Sequence, residues 1–187
     1  ISSFTVNYIT NAQNASKISS QIQKINKVMG TLSETEYLKN LILGGESNTV
    51  EFKSSWSFCL KTKSIKKYLL EKCLQNIIGF MNAQGGDLLI GVSDNGDILG
   101  IENDLQIFKK KENPDDKLLL QIKDVLKTRI GLDNMSFIDH RYVKINRQKI
   151  IRINCKKSPH PVFLDKEHFY VRYTPAVEML KGEEMVN

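Results

Sequence analysis

Hydrophobic positions along the chain fall into blocks with distinct periods. Across residues 65–81, Leu69, Leu70, Cys73, Leu74, Ile77 and Ile78 recur at helical spacing and predict the main amphipathic helix. Asn82-Ala83-Gln84-Gly85-Gly86 ends it, because a glycine pair accepts the left-handed backbone of a helix C-terminus. Residues 88–92 form a short apolar run bounded by glycine, the pattern of a buried strand. Ser93-Asp94-Asn95-Gly96-Asp97 predicts a tight turn, with residues 98–101 returning as the paired strand of a hairpin. Helix, glycine corner and hairpin form the unit around which the rest is organised.

Upstream, Ile18, Ile22, Ile25, Val28 and Met29 mark a helix ended by Gly30. Ser33-Glu34-Thr35-Glu36 is a capping-box pattern that opens another. Gly44-Gly45 then divides the chain into an N-terminal helical extension or linker, 1–44, and a core domain, 45–187. The apolar stripe of the extension suits a homodimer contact. In the domain, residues 49–54 read as a strand with Val50 and Phe52 on one face and Glu51 and Lys53 on the other. A polar, lysine-bearing connection follows over 57–64.

Downstream, Asp115-Asp116 is an acidic start to a helix that runs to Ile130 and stops at Gly131. Two strands, 136–145 and 148–155, flank Asn146-Arg147, and a last hairpin joins 162–164 to 169–173. Thr174-Pro175 reads as a helix start, with a capping hydroxyl and proline at the first helical position. The expected class is α+β, with a mixed, mostly antiparallel sheet and packed helices. The absence of an initial methionine and the helical-looking end at Asn187 suggest a piece of something longer.

Charge changes this picture by its location. The net charge is +6. Residues 139–172 carry nine Lys/Arg against three Asp/Glu, and the rest of the chain holds 18 of each. A basic excess confined to one stretch points to a polyanion, DNA or RNA, while solvated lysines are the plainer alternative. No apolar run reaches about 18 residues, the length needed to span a membrane. Cys59, Cys73 and Cys155 are far apart in apolar surroundings and lack metal-ligand spacing, which suits reduced thiols in a cytoplasmic protein.

Three constellations bear on chemistry. Glu46, Glu51 and Asp94 would reach one sheet edge if the strands at 50 and 88 lie side by side. Three such carboxylates suit Mg²⁺ or Mn²⁺ and metal-assisted phosphodiester cleavage, with Lys53 neutralising phosphate charge. The plainer alternative pairs Glu51 with Lys53 and leaves Asp94 in an Asx-turn. Arg141, Lys144, Arg147, Arg152 and Arg172, interleaved with Tyr142, Phe169, Tyr170 and Tyr173, suit phosphate contacts and base stacking, or else core packing. Arg172 stands out because the expected helix N-terminus follows it. His140, His160 and His168 are isolated, and no GxxxxGK[ST] loop supports ATP binding.

Three stretches carry a family likeness. Glu46-Ser47-Asn48-Thr49-Val50-Glu51-Phe52-Lys53, Phe80-Met81-Asn82-Ala83-Gln84-Gly85-Gly86 and Leu89-Ile90-Gly91-Val92-Ser93-Asp94-Asn95-Gly96 resemble, in that order, the Schlafen AlbA-like domain. Pro161-Val162-Phe163-Leu164 and Phe169-Tyr170-Val171-Arg172 fit the same resemblance. It implies a nucleic-acid-binding module, described in bacteria as DNA-binding and sometimes as ATP-binding. By the same resemblance, Glu46, Glu51 and Asp94 match the Glu-Glu-Asp set of metal-dependent Schlafen endoribonucleases. Ser93 departs from that pattern where those nucleases often have another Asp, and Tyr173-Thr174-Pro175-Ala176 replaces the usual Gly-x-Ser/Thr. Nucleic-acid binding through the basic C-terminal half is the leading expectation. Metal-dependent ribonuclease is the second, and a protein-interaction or regulatory domain the third.

Overall fold

The computed structural model describes residues 34–185. The chain divides into two units between Leu38 and Lys39, and the second holds every strand described. The helix expected from Ser16, and any dimer contact through it, lies outside the described residues.

Helix α1, Glu34–Gly44, precedes strand β1, Val50–Lys53. A small hairpin, β2 (Phe58–Cys59) and β3 (Ser64–Ile65), then leads into helix α2, Lys67–Met81, and strand β4, Gly86–Ile90. A four-residue helix α3, Glu102–Leu105, comes before the long helix α4, Pro114–Ile130. Strands β5 (Ile138–Ile145) and β6 (Gln148–Cys155) form the longest hairpin, and β7 (Phe163–Leu164), β8 (His168–Arg172) and β9 (Val177–Leu180) close the domain.

The main sheet has the order β1-β4-β6-β5, and a second sheet has the order β7-β8-β9. Among the described strands only β1 and β4 run parallel, with Glu51 opposite Leu88 and Lys53 opposite Ile90. Parallel neighbours need a long crossover, and α2 supplies it. This is the expected α+β, mostly antiparallel architecture.

Register sorts the side chains of the main sheet. Glu51, Lys53, Leu88, Ile90, Ile151, Ile153 and Cys155 share one face. That face packs its apolar members against Cys73, Leu74, Ile77 and Ile78 of α2 and Leu118, Ile122 and Leu126 of α4. The opposite face carries Val50, Phe52, Leu89, Val143 and Ile150, all buried as well. Both faces are therefore covered.

The glycine pair is a corner with no room to spare. Gly85 has φ +82°, and a Cβ there would lie 2.6 Å from the Cys155 carbonyl oxygen. At Gly86 a Cβ would meet the Phe80 ring at 2.5 Å and the Thr49 carbonyl oxygen at 2.7 Å. Only glycine lets the end of α2 turn directly into β4 at this approach.

Two expectations are corrected. Residues 98–101 do not return as a strand, and a single bridge joins Val92 to Ile98. The reason is that β4 is already bonded on both edges, by β1 and by β6, so no edge is left for a hairpin partner. Nor does a helix follow Thr174-Pro175. The Thr174 hydroxyl accepts the Ala176 N–H at 3.2 Å within a turn. The chain then pairs back on β8, with Arg172 opposite Val177 and Tyr170 opposite Met179.

Candidate nucleic-acid interface

Strand alternation places Glu51 and Lys53 together, and the face they share turns toward α2. Oε2 of Glu51 accepts from Arg172 Nη2 at 2.9 Å. Its Oε1 accepts from Asn76 Nδ2 at 3.2 Å and from the Lys53 ammonium. Arg172 also donates to the Ser47 carbonyl from Nε (3.1 Å) and Nη2 (2.7 Å), to the Val50 carbonyl (3.2 Å) and to Asn76 Oδ1 (2.7 Å). Its guanidinium carbon lies 4.8 Å from the Phe80 ring centroid, a cation–π distance. With 0% of its side chain exposed, Arg172 cannot meet a phosphate. The strand after it also removes the helix N-terminus on which that expectation rested.

The other two acids are exposed and hold backbone or turn positions. Glu46 is exposed and its Oε1 accepts the Phe52 N–H at 2.9 Å, which pins the approach to β1. Asp94 is exposed in the 93–97 turn, which Ser93 and Asp97 build: the Asp97 N–H donates to Ser93 Oγ at 3.0 Å and the Ser93 N–H to the Asp97 carbonyl at 2.9 Å. Among the described residues, no three His, Cys, Asp or Glu are grouped to hold a metal ion. Mg²⁺ or Mn²⁺ needs several converging oxygens, whereas both Glu51 oxygens already accept from protein donors. As arranged, these residues do not fit a metal.

The remaining cations sort by burial. Arg152 is largely buried and held by Asp87, Nε to Oδ1 at 2.7 Å and Nη2 to Oδ2 at 3.2 Å, with Asn154 donating to the same carboxylate at 3.0 Å. Arg141, its cross-strand neighbour, pairs with Asp139. Lys149 pairs with Asp115 at the start of α4, where the Tyr142 hydroxyl also donates to the Asp115 carbonyl at 2.8 Å. Lys144 and Arg147 are exposed, and Arg147 shares the hairpin tip with Asn146, both at positive φ (70° and 49°). Lys156 and Lys157, just past β6, are exposed too.

Few of the aromatics face solvent. Tyr170 lies in the core, and Phe163 and Phe169 pack on each other at 5.2 Å, while Tyr173 is 61% exposed. His140 is half-buried under α4, and burial together with the Lys123 ammonium lowers its pKa. His160 is exposed, and His168 lies 3.9 Å from Glu167.

Three organising groups escape a reading of the sequence. Asp104 accepts the Ser55 hydroxyl (2.8 Å) and the N–H groups of Trp56, Ser57 and Phe58 (3.1, 3.0 and 3.2 Å). Burial raises its pKa and these donors oppose the shift. Asn82 donates to the Val162 and Tyr170 carbonyls and accepts the Val162 N–H, each at 2.8 Å. Arg129 clamps Glu71 with two bonds of 3.0 and 2.9 Å and also pairs with Asp165. Each joins residues far apart in the chain, so local patterns give no signal for them.

Comparison with known proteins agrees with this architecture. The crystal structure of the DIP2311 protein from Corynebacterium diphtheriae is similar in fold, with a TM-score of 0.51 and 17% sequence identity. The match covers 71% of this chain and 25% of that one, so this chain spans about a quarter of the length of its structural neighbour. No curated protein is significantly similar. Among the described residues, no helix is long and apolar enough to cross a membrane. Residues 46–181, from the approach to β1 through the end of β9, match the family described as Schlafen, AlbA_2. The chain belongs to the Schlafen AlbA_2 family.

Proposed function

We propose that this domain binds nucleic acid, DNA or RNA, by phosphate contacts from the exposed cations of its C-terminal half. The observation that carries the reading is how those cations divide. Arg152 and Arg172 are largely buried against carboxylates, while Lys144, Arg147, Lys156 and Lys157 are exposed on the β5–β6 hairpin and its exit. Exposed cations gain affinity by releasing condensed counterions from a phosphate backbone. Family membership supports the same nucleic-acid association at a coarser level.

Cleavage with Mg²⁺ or Mn²⁺ draws no support from this geometry, because both Glu51 oxygens already accept from protein donors, two of them cationic. The test is equilibrium binding of labelled tRNA and single-stranded DNA at several salt concentrations. Affinity should fall steeply with salt, and Lys144→Ala/Arg147→Ala should flatten the log–log slope by about 0.7–0.9 for each phosphate no longer neutralised. Absence of binding at low salt would refute the reading and favour a protein-interaction domain.

A further inference from the structure

The lysine-bearing connection between β1 and α2 has no part in the C-terminal surface, and the fold gives it an unusual form. From Phe58 to Leu70 the chain carries four lysines, Lys61, Lys63, Lys66 and Lys67, and no Asp or Glu. The first acid after them, Glu71, is engaged by Arg129. Lys61, Lys63 and Lys66 have no carboxylate partner among the described residues, and Lys67 acts at a distance on Asp165. The first turn of α2 has neither an acidic residue nor a side-chain cap, so the positive end of its dipole adds to the same potential.

Apolar surface is exposed in the same place. Leu60 is 40% exposed, Ile65 57% and Tyr68 57%. A purely solvated charge run has no reason to hold three large apolar side chains out in water. The lobe is also anchored. Asp104 grips the N–H groups of Ser57 and Phe58, the Lys66 N–H donates to the Ser57 carbonyl at 2.8 Å, and Trp56 is 1% exposed beneath it. The Tyr68 hydroxyl lies 4.0 Å from Cys59 Sγ.

We propose that the β2–β3 hairpin and the first turn of α2 form a second nucleic-acid contact, which grips single strands. Lys61, Lys63 and Lys66 meet phosphates, and an unpaired base stacks on Tyr68. This rests on the nucleic-acid reading above and extends it to a part of the domain outside its basic C-terminal half. Charge complementarity selects the occupant, because a phosphate backbone needs clustered cations without acids, and an aromatic ring accepts any base that is not already paired.

The test uses the full chain and a fluorescent oligo-dT strand, with binding followed by anisotropy across a salt series. The variants are Lys61→Ala/Lys63→Ala/Lys66→Ala, Tyr68→Ala, Tyr68→Phe and the hairpin-tip pair Lys144→Ala/Arg147→Ala, each with its melting temperature measured. The triple variant should keep its melting temperature and flatten the log–log slope by about 2, at roughly 0.7 per phosphate on single strands. Tyr68→Ala should weaken binding at least tenfold, while Tyr68→Phe, which keeps the ring, should bind like the wild type.

If the wild type binds and the triple variant matches it in slope and affinity, the lobe is not a contact, although the domain-level reading survives. If the wild type binds no oligonucleotide at low salt, the domain-level reading fails and takes the lobe with it. A duplex that competes as well as the single strand would overturn the stacking role of Tyr68. Capture by phosphatidylserine vesicles, with the triple variant losing only that, would assign the lobe to anionic membranes and overturn the proposal.

Discussion

Arg172→Met isolates what the buried charge network does. In the native domain the Arg172 side chain is 0% exposed and that of Glu51 9%. The substitution keeps an apolar stem and removes five hydrogen bonds, to the Ser47 carbonyl (two), the Val50 carbonyl, Asn76 and Glu51. The Glu51 carboxylate then stays buried with Lys53 and Asn76 alone. Breaking a buried pair from one side costs about 3–5 kcal/mol, because the remaining charge is left desolvated. At roughly 2–4 °C per kcal/mol for a chain of this size, the melting temperature should drop by about 6–20 °C.

Glu51→Gln should also destabilise, and the double variant should cost clearly less than the sum, by a coupling of about 1–3 kcal/mol. Urea unfolding is the assay, followed by the fluorescence of Trp56, the sole tryptophan and 1% exposed. Single-variant costs below about 1 kcal/mol, or strict additivity, would refute the reasoning. A Mn²⁺-dependent rise in the wild-type melting temperature that Glu51→Gln abolishes would restore Glu51 as a metal ligand.

Other expectations follow from separate sites. Hydrogen bonds from Thr62 lower the pKa of the Cys59 thiol to about 7, while burial raises Cys73 to about 12 and raises Cys155 as well. Iodoacetamide should therefore label native protein once, at Cys59, with a rate midpoint near pH 7; a midpoint at the ordinary thiol value would refute this. His140 has its pKa lowered on folding, so the stability it contributes is present above its ordinary value of 6.5 and is lost as pH falls through the folded value. The melting temperature should thus fall on acidification from about pH 7 to 5 more in the wild type than in His140→Gln, and equal slopes would count against it. Asn82→Ala removes three 2.8 Å bonds and should cost about 3 kcal/mol in urea unfolding, at about 1 kcal/mol each. A loss under about 1 kcal/mol would mean that water replaces the amide.

What the sequence reveals here depends on whether the cause is local. The period of α2, the acidic start of α4 and the alternation of β6 are written in neighbouring residues, and all three elements appear where expected. Alternation also pairs Glu51 with Lys53 correctly. It cannot say which way the pair faces, because that depends on a sheet with both faces covered. The stretch 98–101 has the composition of a strand but no free edge to join, since β6 occupies it from about 60 residues downstream. Arg172 reads as a surface cation until Glu51, 121 residues away, is brought against it.

That last distance has a consequence for the order of folding. The β5–β6 hairpin closes through a two-residue turn and can form early from contacts nearby in the chain. Pairing β1 with β4 must wait for the intervening hairpin and α2, and β8 must arrive before Glu51 gains Arg172 beside its local partner Lys53. Loop closure over such separations is slow, so the arginine of β8 is among the last groups to settle. Until it does, the Glu51 carboxylate has only Lys53 and Asn76 as donors and keeps part of its water. The charge pair therefore acts as the latch of the domain: a nascent chain can hold its helices and its long hairpin early, but it fastens its first strand to the arginine only after its last sheet has been made.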